Sequence, residues 1–145
     1  IKGACVAENY YKLPDSEYFA DGWLSTGDMA YFNKSNYIFI VDRKKDMINR
    51  GGVKIWWIDL EEELNRLEEI QESSVVGIGD SIYGEVPVAV VVLNEGYTLD
   101  FESIKSRLKK QLATFKIPTQ IKVVTEIPKT AGLKVDKRSI RKLFE

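Results

Sequence analysis

Histidine is missing from all 145 residues. Its absence removes the Ser-His-Asp triad, the Cys-His dyad and the His-ligated zinc site from this chain. Cysteine is nearly missing as well, with Cys5 alone. One thiol excludes an internal disulfide framework and a Cys-rich metal site. No apolar run approaches the roughly 18 residues of a membrane span. No stretch resembles a signal peptide, and the sequence opens at Ile1 without a Met, so we expect an excised piece of cytoplasmic origin. Any chemistry must draw on Lys, Arg, Asp, Glu and backbone groups, or on residues of another chain.

What is present describes a folded chain. Hydrophobic residues make up 44%, charged residues 30% and aromatics 11%, enough for one fair-sized domain or two small ones. Charge is unevenly spread. Residues 1–102 carry 9 basic and 19 acidic side chains, residues 103–145 carry 12 and 3. A basic end suits nucleic acid, a phosphate-bearing ligand or an acidic neighbour, and equally a solvated helix face. This segment lacks the aromatics interleaved with basic residues that a base-stacking platform needs, so we expect no nucleic-acid partner.

Residues 1–42 are rich in Tyr, Asn, Asp and Gly. Short alternating stretches at 28–33 and 37–41, separated by Asn33-Lys34-Ser35-Asn36, predict a β-hairpin with too little apolar surface to fold alone. The charge cluster Asp42–Asp46 reads as a linker. A second hairpin is expected from Met47–Asn49 and Val53–Ile55, turning at Gly51-Gly52, where glycine supplies positive φ. Asp59 and Glu62 resemble a capping box, and Leu60, Leu64 and Leu67 follow at helical spacing, which predicts a helix over 59–69. Ser74–Gly79 and Val86–Leu93 read as buried strands. Asp100 is expected to cap a helix carrying Phe101, Ile104, Leu108 and Leu112, ended by Ile117-Pro118. Ile121–Val124 is a third strand. Asp136 caps a last helix with Ile140, Leu143 and Phe144 inward. The expected fold is α+β, a three-stranded sheet with helices plus a short hairpin, preceded by a separate hairpin. The expected domains are 1–43 and 44–145.

Four stretches bear chemistry. In Gly22-Trp23-Leu24-Ser25-Thr26-Gly27-Asp28, a Gly-flanked carboxylate at a strand mouth suits two vicinal ribose hydroxyls, although taken alone it reads first as an Asp in a turn. In Asp42-Arg43-Lys44-Lys45-Asp46, an Arg ahead of a Gly-rich turn suits a sugar or phosphate, or a solvated linker. Tyr83-Gly84-Glu85-Val86-Pro87 reads as structural. In Ile127–Lys134, Pro, Thr and Gly shape a loop that presents Lys134, a point charge for a carboxylate and a phosphate, or an ordinary surface lysine.

In order and spacing the four stretches together resemble the carboxyl-terminal part of the adenylate-forming enzymes: acyl-CoA synthetases, peptide-synthetase adenylation domains and luciferases. Gly22–Asp28 matches G-W-x-x-T-G-D, and Asp42–Gly52 matches D-R-x-K-D-x-I-x-x-x-G. Tyr83-Gly84-Glu85 with Pro87 matches Y-G-E-x-P. Pro128-Lys129-Thr130 with Lys134 matches P-K-T-x-x-G-K, although Gly132 is displaced by one and Leu133 precedes the lysine. After Lys54-Ile55 the family favours an aromatic or small residue, a Pro and, two residues on, a Glu; this chain has Trp56, Trp57 and Asp59, so Trp57 and Asp59 depart from it.

The resemblance implies an ATP-dependent carboxylate–CoA ligase with fatty-acid metabolism as its setting, and Mg²⁺ entering through ATP. The alternatives are a carrier-protein ligase and a stand-alone binding module. It implies that Asp28 and Arg43 hold the ribose of ATP, that Lys134 bridges carboxylate and α-phosphate, and that Lys45 is the hinge of a mobile domain. Gly51 and Gly52 would line the pantetheine tunnel. Residues 1–43 would end a large amino-terminal domain that holds the acyl and adenine pockets. The isolated chain is therefore expected to be inert, with that large domain and a small carboxylate as partners.

Overall fold

The computed structural model describes residues 1–12 and 18–145. The chain divides into two compact units, Ile1–Lys45 and Asp46–Glu145. Unit 1 holds two small antiparallel pairs. Strands β1 (Phe19–Ala20) and β2 (Trp23–Leu24) turn at Asp21 and Gly22, both left-handed with φ of 51° and 75°. Strands β3 (Asp28–Phe32) and β4 (Ile38–Arg43) form the expected hairpin. Asn33 shapes its turn, its Oδ1 accepting from the amides of Ser35 and Tyr37 at 2.9 and 3.0 Å. That is the local side-chain bond for which Asn favours turns.

Unit 2 is built on one mixed sheet. Its elements are β5 (Ile48–Arg50), β6 (Val53–Ile55), α1 (Trp57–Asn65), β7 (Ile70–Asp80), β8 (Gly84–Leu93), α2 (Phe101–Leu108), a 3₁₀ turn at Thr114–Lys116, β9 (Ile121–Val123) and α3 (Lys137–Lys142). β7 and β8 form a long antiparallel ladder from Ile70↔Leu93 to Asp80↔Gly84. β9 lies parallel to β8 along Ala89–Val91. The β5–β6 hairpin, expected apart from the sheet, joins it through Arg50↔Gly84, so the sheet has five strands rather than three. Gly84 sits at φ 76°, which lets β8 begin against β5.

Apolar side chains alternate between the two faces of β7 and β8. Val75, Ala89 and Val91 pack with Leu60 and Leu64 of α1 and with Ile104 and Leu108 of α2. Val76, Val88 and Val90 pack on the other face with Ile127 and with Ile140 of α3. The unbroken run Val86–Val91 is explained by this: β8 is covered on both sides. Leu143, expected inward, is 40% exposed.

Two caps form as expected. Asp100 accepts from the Ser103 amide at 3.0 Å, and Asp136 from the amides of Arg138 and Ser139. The capping box at Asp59 does not form. Helix α1 starts earlier, directly after β6, with Trp56 as an N-cap that makes no side-chain bond. Asp59 instead lies in the first turn and pairs with Lys116 at 2.5 Å. Helix α1 also ends at Asn65, and Leu67 packs on the core from a following turn. Glu61 reaches from α1 to the edge strand β7. It accepts from the Val75 amide at 2.7 Å and the Ser74 hydroxyl at 3.0 Å, satisfying polar groups of an otherwise open edge.

Candidate functional site

Asp28 and Arg43 face each other across the β3–β4 register. The Arg43 Nε lies 2.8 Å from Asp28 Oδ1. The Asp28 amide donates to Thr26 Oγ1 at 3.2 Å, and Lys44 N–H donates to the Gly27 carbonyl at 2.8 Å. The carboxylate is thus fixed at the strand mouth by a guanidinium, with both side chains still open to solvent. A carboxylate accepts at two oxygens, so a sugar diol fits this arrangement. Lys45 lies in a 3₁₀ turn, Lys44–Asp46, at the boundary of the two units, and its side chain lies outside the described residues.

The Gly51-Gly52 turn sits in unit 2 with φ of 57° and 86°. Both positions need positive φ, as expected for this two-residue hairpin turn. Gly51 N–H donates to the Tyr83 carbonyl at 2.7 Å, and Gly52 N–H to Asn49 Oδ1 at 3.1 Å. Glu85 Oε2 accepts from the Asn49 amide at 2.8 Å, so the Tyr83–Glu85 stretch braces the turn, as its structural reading implies. A Cβ on Gly52 would meet nothing within 4 Å. Small residues leave this stretch of backbone open to close approach.

Beside the turn lies a groove of about 440 Å³ lined by Arg50, Gly51, Val53, Tyr83, Thr114 and Phe115. Arg50 stacks 4.7 Å above the Tyr83 ring and donates to the Phe115 carbonyl at 2.7 Å. A guanidinium stacked on one exposed aromatic, with a second aromatic lining the same groove, suits a flat, anionic ligand. Sequence reading missed this groove. Arg50 and Phe115 are 65 positions apart and meet only through β5 and the turn before β9. Asp80 orders the same corner. Its carboxyl is held below the ordinary carboxylate range by the amides of Tyr83 and Ile82, with Arg50 adding to the effect.

Lys134 is exposed on a narrow loop whose stem closes at the Lys129↔Val135 bridge. Thr130 N–H donates to the Lys134 carbonyl at 2.7 Å, and Asp136 N–H to the Pro128 carbonyl at 2.8 Å. Lys129 anchors the stem, 3.2 Å from Glu72. The displaced glycine has a structural consequence. The left-handed position of the loop falls on Leu133, at φ 60°.

Lys134 and the Gly turn occupy opposite ends of the β7–β8 ladder. The lysine loop is tied at Glu72, opposite Val92, while the Gly hairpin meets Gly84, opposite Asp80. The eight residue steps from Glu72 to Asp80 span roughly 27 Å at about 3.4 Å each. The Asp28–Arg43 pair belongs to unit 1, the other two groups to unit 2. Among the described residues no three acidic, His or Cys side chains cluster as metal ligands. No helix among them is long and apolar enough to cross a membrane.

Residues 59–134, just over half of the chain, match the family described as AMP-binding enzyme C-terminal domain. The chain belongs to that family. It is 35% identical over 97% of its length to the 2-succinylbenzoate–CoA ligase of Listeria innocua, covering 30% of that protein. To the long-chain-fatty-acid–CoA ligase of Bacillus subtilis it is 39% identical over 97% of its length, covering 25%. The solved structure of ATP-bound MatB from Rhodopseudomonas palustris superposes on 94% of the chain with a TM-score of 0.86 and 31% identity, over 28% of that chain. The present chain thus spans about a quarter to a third of the proteins it matches. The α+β fold and the adenylate-forming family expected from the four motifs are those found.

Proposed function

We propose that this chain is the carboxyl-terminal part of an ATP-dependent carboxylate–CoA ligase. In this reading residues 1–43 end the large adenylate-binding domain and residues 44–145 are its mobile partner. The placement of Lys134 and the Gly51-Gly52 turn at opposite ends of one ladder carries the proposal. A single small body cannot bring both ends to one reacting centre at once. Two half-reactions presented in turn, with a pivot at Lys45 between the units, accommodate them.

In the first half-reaction a carboxylate oxygen attacks the α-phosphorus of ATP, and pyrophosphate leaves. Charge accumulates around one phosphorus, and the Lys134 ammonium stabilises it. Asp28 receives the ribose hydroxyls while Arg43 fixes the carboxylate. In the second the CoA sulfur attacks the acyl carbon, the acyl–phosphate bond breaks, AMP leaves and the thiol proton passes to solvent. The Gly turn lets the pantetheine arm pass, and the groove of Arg50, Tyr83 and Phe115 offers its nucleotide a cationic, aromatic wall. Mg²⁺ would come with ATP, bridging its phosphates. Reliance on ATP and CoA supports a cytoplasmic setting, and the acyl group, a fatty acid included, would be chosen by residues outside this chain. Without those residues we expect the isolated chain to be inert.

The test is made on the full-length protein by following the half-reactions separately. Lys134→Ala should slow adenylation by roughly 100-fold or more and leave thioester formation from supplied acyl-adenylate within a few-fold. Gly52→Leu should do the reverse. Equal loss in both half-reactions for both variants would sink the two-station reading. Turnover with a phosphopantetheinylated carrier protein but not with CoA would assign the carrier-ligase alternative.

A further inference from the structure

Trp57 stands where the family resemblance expects proline, and the structure gives it a specific contact. The Lys137 Nζ lies 3.2 Å from the centroid of the Trp57 ring. Trp57 opens α1 and packs on the core face shared by α1 and α2. Lys137 opens α3, whose Ile140 packs on the opposite face. The contact therefore ties the two helical layers together, from the end of α1 that follows the Gly hairpin to the end of α3 that follows the lysine loop.

We infer that Trp57 is a positioning residue for Lys134, acting through Lys137. The lysine loop is closed by backbone bonds between Lys129 and Val135 and between Pro128 and Asp136. Its exit runs straight into the Asp136 cap and the first residue of α3. Only Val135 and Asp136 separate Lys134 from Lys137. The stem is pinned on the entry side by Lys129 on Glu72, and on the exit side by Lys137 on Trp57. The Lys137 ammonium is shielded from solvent against the indole face, and an aromatic face also accepts a guanidinium. Releasing this anchor leaves Lys134 in the chain and its charge intact. Its ammonium then samples a wider volume, and misplacement of about 1 Å is enough to cost a large factor in rate.

The inference rests on the adenylation role proposed for Lys134, and two measurements separate the two. In the full-length protein, Trp57→Leu and Lys137→Met should each slow adenylation by about tenfold and leave thioester formation from supplied acyl-adenylate within about twofold. Lys137→Arg should restore adenylation to within a few-fold, because a guanidinium also stacks on indole. Equal slowing of both half-reactions, or Lys137→Arg as damaging as Lys137→Met, would overturn the inference. The second measurement needs no activity. In the amide spectrum of the 145-residue chain, Trp57→Leu and Lys137→Met should move the Thr130–Lys134 resonances, and Lys137→Arg should return them. Unmoved loop resonances would also overturn it. If Lys134→Ala leaves adenylation intact, the role of Lys134 falls while the spectrum still reads the anchor.

Discussion

Two hairpins of this chain carry similar apolar residues and meet opposite fates. In β3–β4, Tyr31, Phe32, Ile38, Phe39 and Ile40 are all exposed, Ile40 by 72%. In β7–β8, Val75, Val88, Ala89, Val90 and Val91 are fully buried. The difference lies in what the neighbouring sequence supplies. Unit 2 carries amphipathic helices that cover both faces of its ladder, whereas in unit 1 Tyr31 and Phe39 stack on each other, 5.2 Å apart, at exposed positions. A two-stranded ribbon with an apolar face is marginal in water by itself. Contiguous exposed apolar side chains mark a surface that meets another one. That contrast favours reading unit 1 as the edge of a larger body and unit 2 as self-sufficient.

The sharpest break of this comparison is a pair of truncations in the 145-residue chain. Leu64→Ala, at 0% exposure, should lower the unfolding free energy by about 2–5 kcal/mol. Ile40→Ala should change it by no more than about 0.5 kcal/mol. Urea unfolding followed by circular dichroism measures both. In the full-length protein the Ile40 variant should become costly. Similar losses at the two positions in the short chain would remove the distinction between the units.

How much of this was legible in the sequence depended on how local each signal was. Asp100 and Asp136 cap the helices they precede, because a cap needs only its own next three residues. Gly51-Gly52 turned where expected for the same reason. Asp59 failed as a cap because β6 feeds α1 directly, and its partner is Lys116, 57 residues away. The Gly hairpin joins the sheet through the register pair Arg50↔Gly84, braced by bonds to Tyr83 and Glu85, which no periodicity announces. At the site, the motif residues were readable while the groove was not, since Arg50, Tyr83 and Phe115 meet only after the sheet forms. Trp57 read as a departure from the family, and its partner Lys137 lay beyond any local pattern.

Acid should sharpen the contrast by acting on unit 2. Asp80 is held below the ordinary 3.8 by the Tyr83 and Ile82 amides. Asp136 is lowered chiefly by the Ser139 hydroxyl and then by the Ser139 amide. A depressed folded-state pKa means that the stabilisation is fully present above the unfolded value and is lost as pH falls through the folded one. The melting temperature of the chain should therefore drop as pH goes from about 4 toward 2. The double variant Asp80→Asn, Asp136→Asn, which keeps the acceptors but not the charges, should flatten that limb. An equally steep acid limb in the double variant would place the sensitivity elsewhere.

The smallest expected effect is at Leu133, and there the comparison turns inward to a single loop. Its φ of 60° is a conformation that costs a non-glycine residue about 1–2 kcal/mol, and its side chain is 82% exposed, so little packing offsets that cost. Gly132 beside it is not left-handed, so the residue with the freedom and the residue that needs it are adjacent but exchanged. Leu133→Gly should relieve the strain. The added freedom of glycine in the unfolded chain takes back roughly 0.5–1 kcal/mol, which leaves a net gain below about 1 kcal/mol. For a unit of this size that is a rise in melting temperature of no more than about 5 °C. Exchange of the Leu133 amide, which donates to the Thr130 carbonyl at 2.9 Å, should slow in parallel. A lower melting temperature with faster exchange would mean that the leucine side chain contributes more to the lysine loop than its backbone strain removes.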